Sequence, residues 1–245
     1  MSTLSDWIQE SDNIVFFGGA GVSTESNIPD FRSDNGIYKK KYRYPAEYMI
    51  SYSFFRSNPE EFYEFYFNQM VYPDAKPNAA HYALAKLERA GKLKAVVTQN
   101  IDGLHQKAGS QTVYELHGSI LRNTCMDCRK QFNLEETMAL RDDKGIPRCD
   151  ACGGIIKPDV VLYEESLDEN TIYHAVEAIA QADLLIIGGT SLVVYPAAGF
   201  IQYFNGRHMV LINRDETSMD HKADLVIHDS IGQVLSEATA FLDEK

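Results

Sequence analysis

The sequence predicts an α/β protein: a doubly wound parallel sheet with a smaller lobe inserted into it, the lobe made of a helical module and a four-cysteine module. Three observations carry this. Short continuous apolar runs end in glycine or polar residues, helix-length stretches separate them, and two segments, 37–75 and 123–157, break the alternation. Continuous apolar runs mark strands buried on both faces, and strand–helix alternation marks the crossovers that parallel strands need. The expected division is a larger unit formed by 1–36, 76–122 and 158–245, with 37–75 and 123–157 as the small lobe.

Residues 4–12 read as a short helix. The first strand is Ile14-Val15-Phe16-Phe17, closed by Gly18-Gly19-Ala20-Gly21, which is an apolar strand entering a phosphate-type turn. Ala95-Val96-Val97-Thr98 is a second strand and leads into Gln99-Asn100-Ile101-Asp102-Gly103-Leu104-His105. Val113–Leu116 ends at His117-Gly118, Leu184–Ile187 ends at Gly188-Gly189-Thr190-Ser191, Met209–Ile212 closes at Asn213, and Leu225–Ile227 is the sixth. Helical stretches at 78–90, 168–181, 196–205 and 231–243 lie between. In the aromatic-rich segment 37–75, Asn58-Pro59 is a helix-start signal, and most of its rings are expected in a helical core. In doubly wound sheets ligands bind at the carboxyl ends of the strands, which is where these polar loops fall.

The formal net charge of −12 repels phosphate backbones, and Lys39-Lys40-Lys41 is too short to form a basic patch, so direct nucleic-acid binding is disfavoured. The same acidity suits lysine-rich protein partners. No window reaches the ~20 apolar residues of a membrane span, and the N-terminus has neither the basic flank nor the apolar stretch of an export signal. A cytoplasmic location is the expectation.

All four cysteines fall in two C-x-x-C pairs, Cys125/Cys128 and Cys149/Cys152. Two intervening residues let both thiolates face one tetrahedral ion, and the spacer of 129–148 folds back to supply the second pair. Disulfides do not suit a chain without an export signal, and a redox C-x-x-C leaves one pair unexplained. The reading is one zinc ion, structural because four thiolates leave no position for water.

Gly19-Ala20-Gly21-Val22-Ser23-Thr24 is an incomplete dinucleotide fingerprint, with Thr24 in the third glycine position. The second turn, Gly188–Ser191, strengthens it, since two small-residue turns at strand ends offer a cradle for a pyrophosphate and an adenosine. Asn100, Asp102 and His105 crowd the loop after the second strand, a density that fits hydrogen bonds to a ribose and a carboxamide. His117, at a strand end before a glycine, reads as a general base.

Taken together, these stretches resemble the sirtuin family of NAD-dependent protein deacylases, most closely its bacterial and archaeal members with little beyond the catalytic core. Gly19 to Ser23 through Pro29-Asp30-Phe31-Arg32 resembles that family's first NAD-binding motif, Thr98–His105 and His117-Gly118 its catalytic motifs, and the paired cysteines and Gly189-Thr190-Ser191 complete the set in family order. There are departures: Asn27 stands where the family has glycine, and Tyr163-Glu164-Glu165 replaces its Phe-Gly-Glu substrate loop. Asn tolerates left-handed backbone, so the first should be harmless; the second puts peptide docking in question.

The resemblance implies a Rossmann-like NAD-binding domain with NAD as co-substrate and acylated-lysine protein or peptide as partner. It implies His117 as base, with Asn100 and Asp102 orienting ribose, water and carboxamide. Ala20, Gly21, Thr24, Arg32 and Gln99 would hold phosphates and ribose, and Phe31 and Ile101 would flank the reacting centre. Gly189, Thr190, Ser191, Asn213 and Ile231 would hold the adenosine end. Peptide would add as a strand between Val161-Leu162-Tyr163 and Val193-Val194-Tyr195, with Phe31, Ile101, Val160 and Val193 lining the acyl-lysine channel. Succinyl-preferring members carry Tyr and Arg three apart in the helical lobe. The matching stretch is read as Tyr63–Tyr66, with Tyr66 in the Arg position, so neutral acyl groups are expected. Mono-ADP-ribosyl transfer, NAD-dependent dehydrogenation and a non-catalytic adaptor remain the other readings.

Overall fold

The computed structural model describes residues 3–243 of the chain; residues 1, 2, 244 and 245, which the sequence reading assigns to the larger unit, lie outside the described residues. Six strands form a parallel sheet and three an antiparallel one. In chain order they are β1 (Ile14–Gly18), β2 (Leu93–Thr98), β3 (Val113–Glu115), β4 (Gly118–Cys125), β5 (Gln131–Asn133), β6 (Ile156–Val160), β7 (Leu184–Gly188), β8 (His208–Ile212) and β9 (Leu225–Ile227). The α-helices are α1 (Thr3–Glu10), α2 (Ala46–Met49), α3 (Tyr52–Ser57), α4 (Pro59–Gln69), α5 (Ala79–Arg89), α6 (Leu104–Ala108), α7 (Leu134–Ala139), α8 (Glu169–Gln181) and α9 (Ile231–Ala238).

The parallel sheet runs β3-β2-β1-β7-β8-β9. All six apolar runs read from the sequence are therefore its strands. The chain steps outward from β1 to β2 and β3, then returns to place β7 on the other side of β1, which creates a crevice between the ends of β1 and β7. Every residue of β1 and β7 is buried. Their side chains alternate between two cores: Ile14, Phe16, Leu184 and Ile186 pack under α1, α5 and α9, whereas Val15, Phe17, Leu185 and Ile187 pack under α8 and the 197–203 turn. Each such side chain contributes about 1.5–3 kcal/mol of burial, and both faces are sealed.

Capping sets the helix starts. The Asn78 side chain accepts from Ala80 N–H at 2.9 Å while His81 Nδ1 accepts from Asn78 N–H at 3.2 Å, closing a capping box on α5. Asp168 accepts from Thr171 N–H at 2.7 Å at the start of α8, and Pro59 opens α4 as the sequence suggested. Two helical expectations are corrected. Residues 197–203 form a 3-10 helix, with Gly199, a weak α-former, inside it. The expected helix 231–243 ends as α9 at Ala238, where the buried Thr239 hydroxyl bonds back to Leu235 O at 2.8 Å, and a 3-10 turn follows.

Helices α2 to α4 enclose a third core, with Phe54, Phe55, Phe62, Tyr63 and Tyr66 at its centre, Ile120 and Val160 joining it from the antiparallel sheet and Leu162 from the loop after β6. Strands β4 and β6 extend across 122/123 and 157/158, the expected lobe boundaries, and their pairing shifts register between Gly118 and Asn123. No helix among the described residues is long and apolar enough to cross a membrane.

One buried pair makes this fold acid-sensitive. The His81 and His105 rings meet at a tilt, centroids 4.7 Å apart, inside the first core, with His105 beside Phe16. Burial pushes His81 down to about 4, and burial followed by the neighbouring His81 holds His105 well below its ordinary value. Both rings are neutral in the fold and take up protons only on unfolding. Their contribution is thus complete above the unfolded value near 6.5 and is lost as pH falls from there toward 4, at up to roughly 1.4 kcal/mol per pH unit for each ring. Urea unfolding at pH 7.5 and pH 5.0 should show a markedly lower midpoint in acid, and a His105→Phe variant should flatten that dependence. Equal midpoints would refute the account.

Candidate active site

The crevice between the ends of β1 and β7 opens into a cavity of about 430 Å³, within the usual range for small-molecule sites. Glycine makes its floor possible. Gly21 N–H donates to Gly189 O at 2.8 Å, and a Cβ on Gly21 would lie 2.8 Å from Gly189 Cα; one on Gly19 would lie 2.8 Å from Thr190 Cβ. Gly189 itself has φ +59. The two turns are therefore packed on each other, closer than side chains allow.

From this floor the cavity walls rise through Ala20, Phe31, Arg32, Gln99, Asn100, Ile101, Asp102, His117, Thr190, Ser191 and Asn213, all named from the sequence. Thr24 and Ile231 line an adjoining cavity that shares Gly21, Gly189 and Asn213 with the first. Thr24 also turns its hydroxyl onto Gly21 O at 3.0 Å. Asn27 takes φ +61, the left-handed geometry that Asn supports without glycine.

The polar groups are ordered by a directional chain. Asn100 Nδ2 donates to Ser23 Oγ at 3.1 Å, and Ser23 Oγ donates to Asp102 Oδ2 at 2.6 Å. Asp102 Oδ1 accepts from Leu104 N–H at 2.9 Å. Burial raises the Asp102 carboxyl above its ordinary value, with the Ser23 and Leu104 bonds opposing. Ser23 was not singled out from the sequence as a site residue. It lay inside the glycine motif, but a small hydroxyl in a turn carries no signal of its own.

His117 is fixed by the backbone. Its Nδ1 lies 3.0 Å from Gln99 O, an atom that only accepts, so Nδ1 carries the hydrogen and Nε2 is left with its lone pair. Burial lowers the His117 ring and this bond partly offsets it. A neutral ring with one basic nitrogen is the form a proton acceptor needs. The Gln99 side chain crosses the cavity, donating to Thr190 Oγ1 at 3.1 Å.

Three placements differ from the sequence reading. His105, grouped there with Asn100 and Asp102, lies buried in the core against His81 because α6 turns it inward. Val193 stands half-exposed and lines neither cavity; Val194 and Tyr195 do line the wall, after Leu192 has turned the chain at φ +54. Tyr66 is not at an acyl pocket but sits in the third core, 1% exposed and stacked on Phe62. The α4 residues that reach the cavity region come one turn later, at Gln69, with Met70 following. Val160, Val161 and Tyr163 line the wall as expected.

At the far end of β4 the four cysteine sulfurs lie within 4.8 Å of one another, with Cys125 and Cys152 3.4 Å apart and Cys128 and Cys149 3.6 Å apart. Four thiolates around zinc at about 2.3 Å stand roughly 3.8 Å apart, so the set fits one tetrahedral ion. Gly154 admits the close turn, since a Cβ there would meet Asp127 and the Cys125 sulfur.

The Sir2 family matches residues 19–196. The chain belongs to the Sir2 family. The NAD-dependent protein deacetylase of Clostridium acetobutylicum is 63% identical over 237 residues, covering 96% of each chain, and that of Clostridium perfringens is 60% identical over 240 residues, covering 97% of each. Among solved structures, a Sir2 histidine-to-alanine variant with a deacetylated p53 peptide and 3'-O-acetyl-ADP-ribose superposes with a TM-score of 0.89 at 39% identity, covering 97% of this chain and 96% of that one. A Sir2 homologue serine-to-alanine variant complexed with ADP-ribose gives 0.89 at 36% identity, covering 100% and 97%. The fold expected from the resemblance is the Sir2 fold observed.

The metal site of this family member is testable directly. Purified protein should carry one zinc per chain by elemental analysis. Cys128→Ser should lose it and lower the melting temperature by roughly 5–10 °C. Metal content unchanged in the variant would rule the four-sulfur site out.

Proposed function

We propose that this protein is an NAD-dependent protein-lysine deacetylase: acyl-lysine, NAD and water give lysine, nicotinamide and O-acyl-ADP-ribose. The carrying observation is the pairing of a neutral His117, its Nδ1 committed to Gln99 O, with the Asn100–Ser23–Asp102 chain in one cavity. The relatives' names, all NAD-dependent protein deacetylases, support the same reading. We read the location as cytoplasmic, in keeping with four thiols arranged as metal ligands rather than as disulfides.

Bound NAD supplies an anomeric carbon whose bond to nicotinamide breaks as the acyl oxygen attacks it. Around that centre, His117 Nε2 accepts a proton from a ribose hydroxyl, and the Gln99 bond keeps the ring in the tautomer able to do so. Asn100 and Asp102, oriented through Ser23, hold ribose, carboxamide and an ordered water. Phe31, packed at 5.3 Å on Tyr38, shields the reacting face from bulk water, which matters because hydrolysis of NAD is the wasteful alternative. Ala20, Gly21, Thr24, Arg32 and Gln99 hold phosphates and ribose; Gly189, Thr190, Ser191, Asn213 and Ile231 hold the adenosine end. The peptide adds as a strand between 161–163 and 193–195, taking affinity from main-chain bonds. The four cysteines hold a structural zinc.

Charge argues for neutral acyl groups. Among the described residues lining the first cavity, the one permanent cation is Arg32, which lies 5.1 Å over the Tyr38 ring and 3.7 Å from Glu47. Against it stand Asp30, Asp102, Glu164, Glu165, Asp215 and Glu216. At Gln69 the cavity offers a neutral amide whose oxygen is taken by Lys40 and Tyr42. An acidic acyl chain would meet repulsion without a free ion-pair partner.

The decisive experiment incubates the protein with an acetyl-lysine peptide, with and without NAD. Mass spectrometry should find free-lysine peptide, nicotinamide and O-acetyl-ADP-ribose only when NAD is present, and His117→Ala should lower kcat by at least about 100-fold while ADP-ribose still binds. A heavier, ADP-ribosylated protein with intact acetyl peptide would favour the transferase reading; intact NAD would sink both. Separately, kcat/KM for acetyl peptide should exceed that for succinyl peptide by about 10-fold or more. Faster succinyl turnover would overturn the charge argument.

A further inference from the structure

The loop after β6 forms one wall of the cavity, and its most unusual residue is Glu164. Its φ is +76, a conformation glycine takes freely and other residues take only when something holds them there. What holds it is its own carboxylate. Glu164 Oε2 accepts from Ser53 N–H at 2.8 Å and Oε1 accepts from Ser53 Oγ at 2.9 Å, so both oxygens grip the first turn of α3. The neighbouring residue is fastened to the same place: Tyr163 N–H donates to Ile50 O at 3.1 Å, Tyr52 N–H donates to Tyr163 O at 3.0 Å, and the Tyr163 and Tyr38 hydroxyls meet at 3.2 Å. The adjacent Glu165 does something different. Its Oε2 accepts from Leu162 N–H at 2.8 Å and from Lys157 Nζ at 3.0 Å, closing the loop on itself.

We propose that Glu164 is a positioning residue for the peptide substrate, acting as a clasp that fastens loop 161–165 to the helical module. Glu165 gives the loop its shape, and Glu164 gives it its place. The wall bearing Val161 and Tyr163 is held against α3, so the backbone that receives the peptide strand is ordered before the peptide arrives and less ordering cost falls on binding. The side chain thereby replaces what a glycine at this turn would supply, adding an anchor that glycine lacks. The kinetic consequence rests on the deacetylase reading; the clasp itself does not.

The test uses the full chain with Glu164→Ala, Glu164→Gly, Glu164→Gln and Ser53→Ala, plus the Glu164→Ala/Ser53→Ala double variant. Hydrogen exchange followed by mass spectrometry reads the loop without reference to activity. Amides of 161–165 should exchange about 10-fold faster in the Ala and Gly variants, with α8 unchanged. Steady-state kinetics with an acetyl-lysine peptide should show peptide KM raised about fivefold or more, with kcat and the KM for NAD within about twofold of the starting protein. Ser53→Ala should raise peptide KM in the same direction, and the double variant should add little to Glu164→Ala. Glu164→Gly separates the carboxylate from backbone strain, since it tolerates the positive φ but cannot clasp; wild-type exchange in that variant overturns the proposal. A peptide KM that rises in Glu164→Ala but not in Ser53→Ala also overturns it, since the carboxylate would then touch the peptide directly. If the unaltered protein fails to turn over acetyl peptide, the proposed reaction falls, and the exchange data still decide the clasp.

Discussion

The contact on which everything else rests is the one between two glycine turns. Strands β1 and β7 are hydrogen-bonded neighbours in register from Ile14 with Leu184 to Gly18 with Gly188. Where they end, both chains must leave the sheet at nearly the same point. Gly21 and Gly189 let the two backbones cross within a distance that any Cβ would forbid. A side chain at either position would push the turns apart and fill the crevice that the strand order creates. The binding cavity is thus a consequence of sheet topology, made accessible by the absence of two side chains.

On that floor, the polar side chains of the cavity come from loops that follow three adjacent strands. Ser23 comes from the loop after β1, Gln99, Asn100 and Asp102 from the loop after β2, and His117 from the end of β3. Parallel strands in register put these loops at one edge, so no long excursion is needed to bring them together. Burial then acts in two directions. It raises the Asp102 carboxyl and lowers the His117 ring, in both cases disfavouring the charged form. The Ser23 and Leu104 bonds support the Asp102 carboxylate against this, whereas the Gln99 bond chooses which nitrogen of His117 is basic.

Much of this was legible in the sequence, for reasons that can be named. Six parallel strands are buried on both faces, so each appears as an unbroken apolar run, and the cysteine spacing admits few other readings. What failed depended on direction rather than composition. Helix α4 carries aromatics on several faces, and nothing in Tyr63-Glu64-Phe65-Tyr66 says that Tyr66 points into the core while Gln69 points out of it. The orientation of Val193 is set by the left-handed turn at Leu192, which no local residue type announces. His105 lies three residues past Asp102, but the αL turn at Gly103 starts α6 and sends it behind the loop. Glu164 is the converse case. Its departure from glycine was visible, and only its bonds to Ser53 reveal what the change does.

The four cysteines lie away from the cavity, yet one strand connects them to it. Strand β4 starts at Gly118, directly after His117, and ends at Cys125. Its partner β6 pairs Ile156 with Cys125 at one end and Val160 with Gly118 at the other. At that second end Gly118 has φ +74, and a Cβ would collide with Asp159 O, so the chain turns there with no slack. Val161 N–H then donates to His117 O at 2.9 Å, tying the cavity wall that bears Val161 to the His117 backbone. The antiparallel sheet is small, three strands of which β5 spans only three residues. A metal-thiolate cluster at the distal end fastens the stretch where Asn123 to Cys125 pair with Pro158 to Ile156; beyond an irregularity in register the pairing resumes at Gly118 with Val160, beside His117. The four-sulfur site and His117 thus stand at opposite ends of one strand pair, so a metal held there needs no contact with the cavity to be connected to its wall.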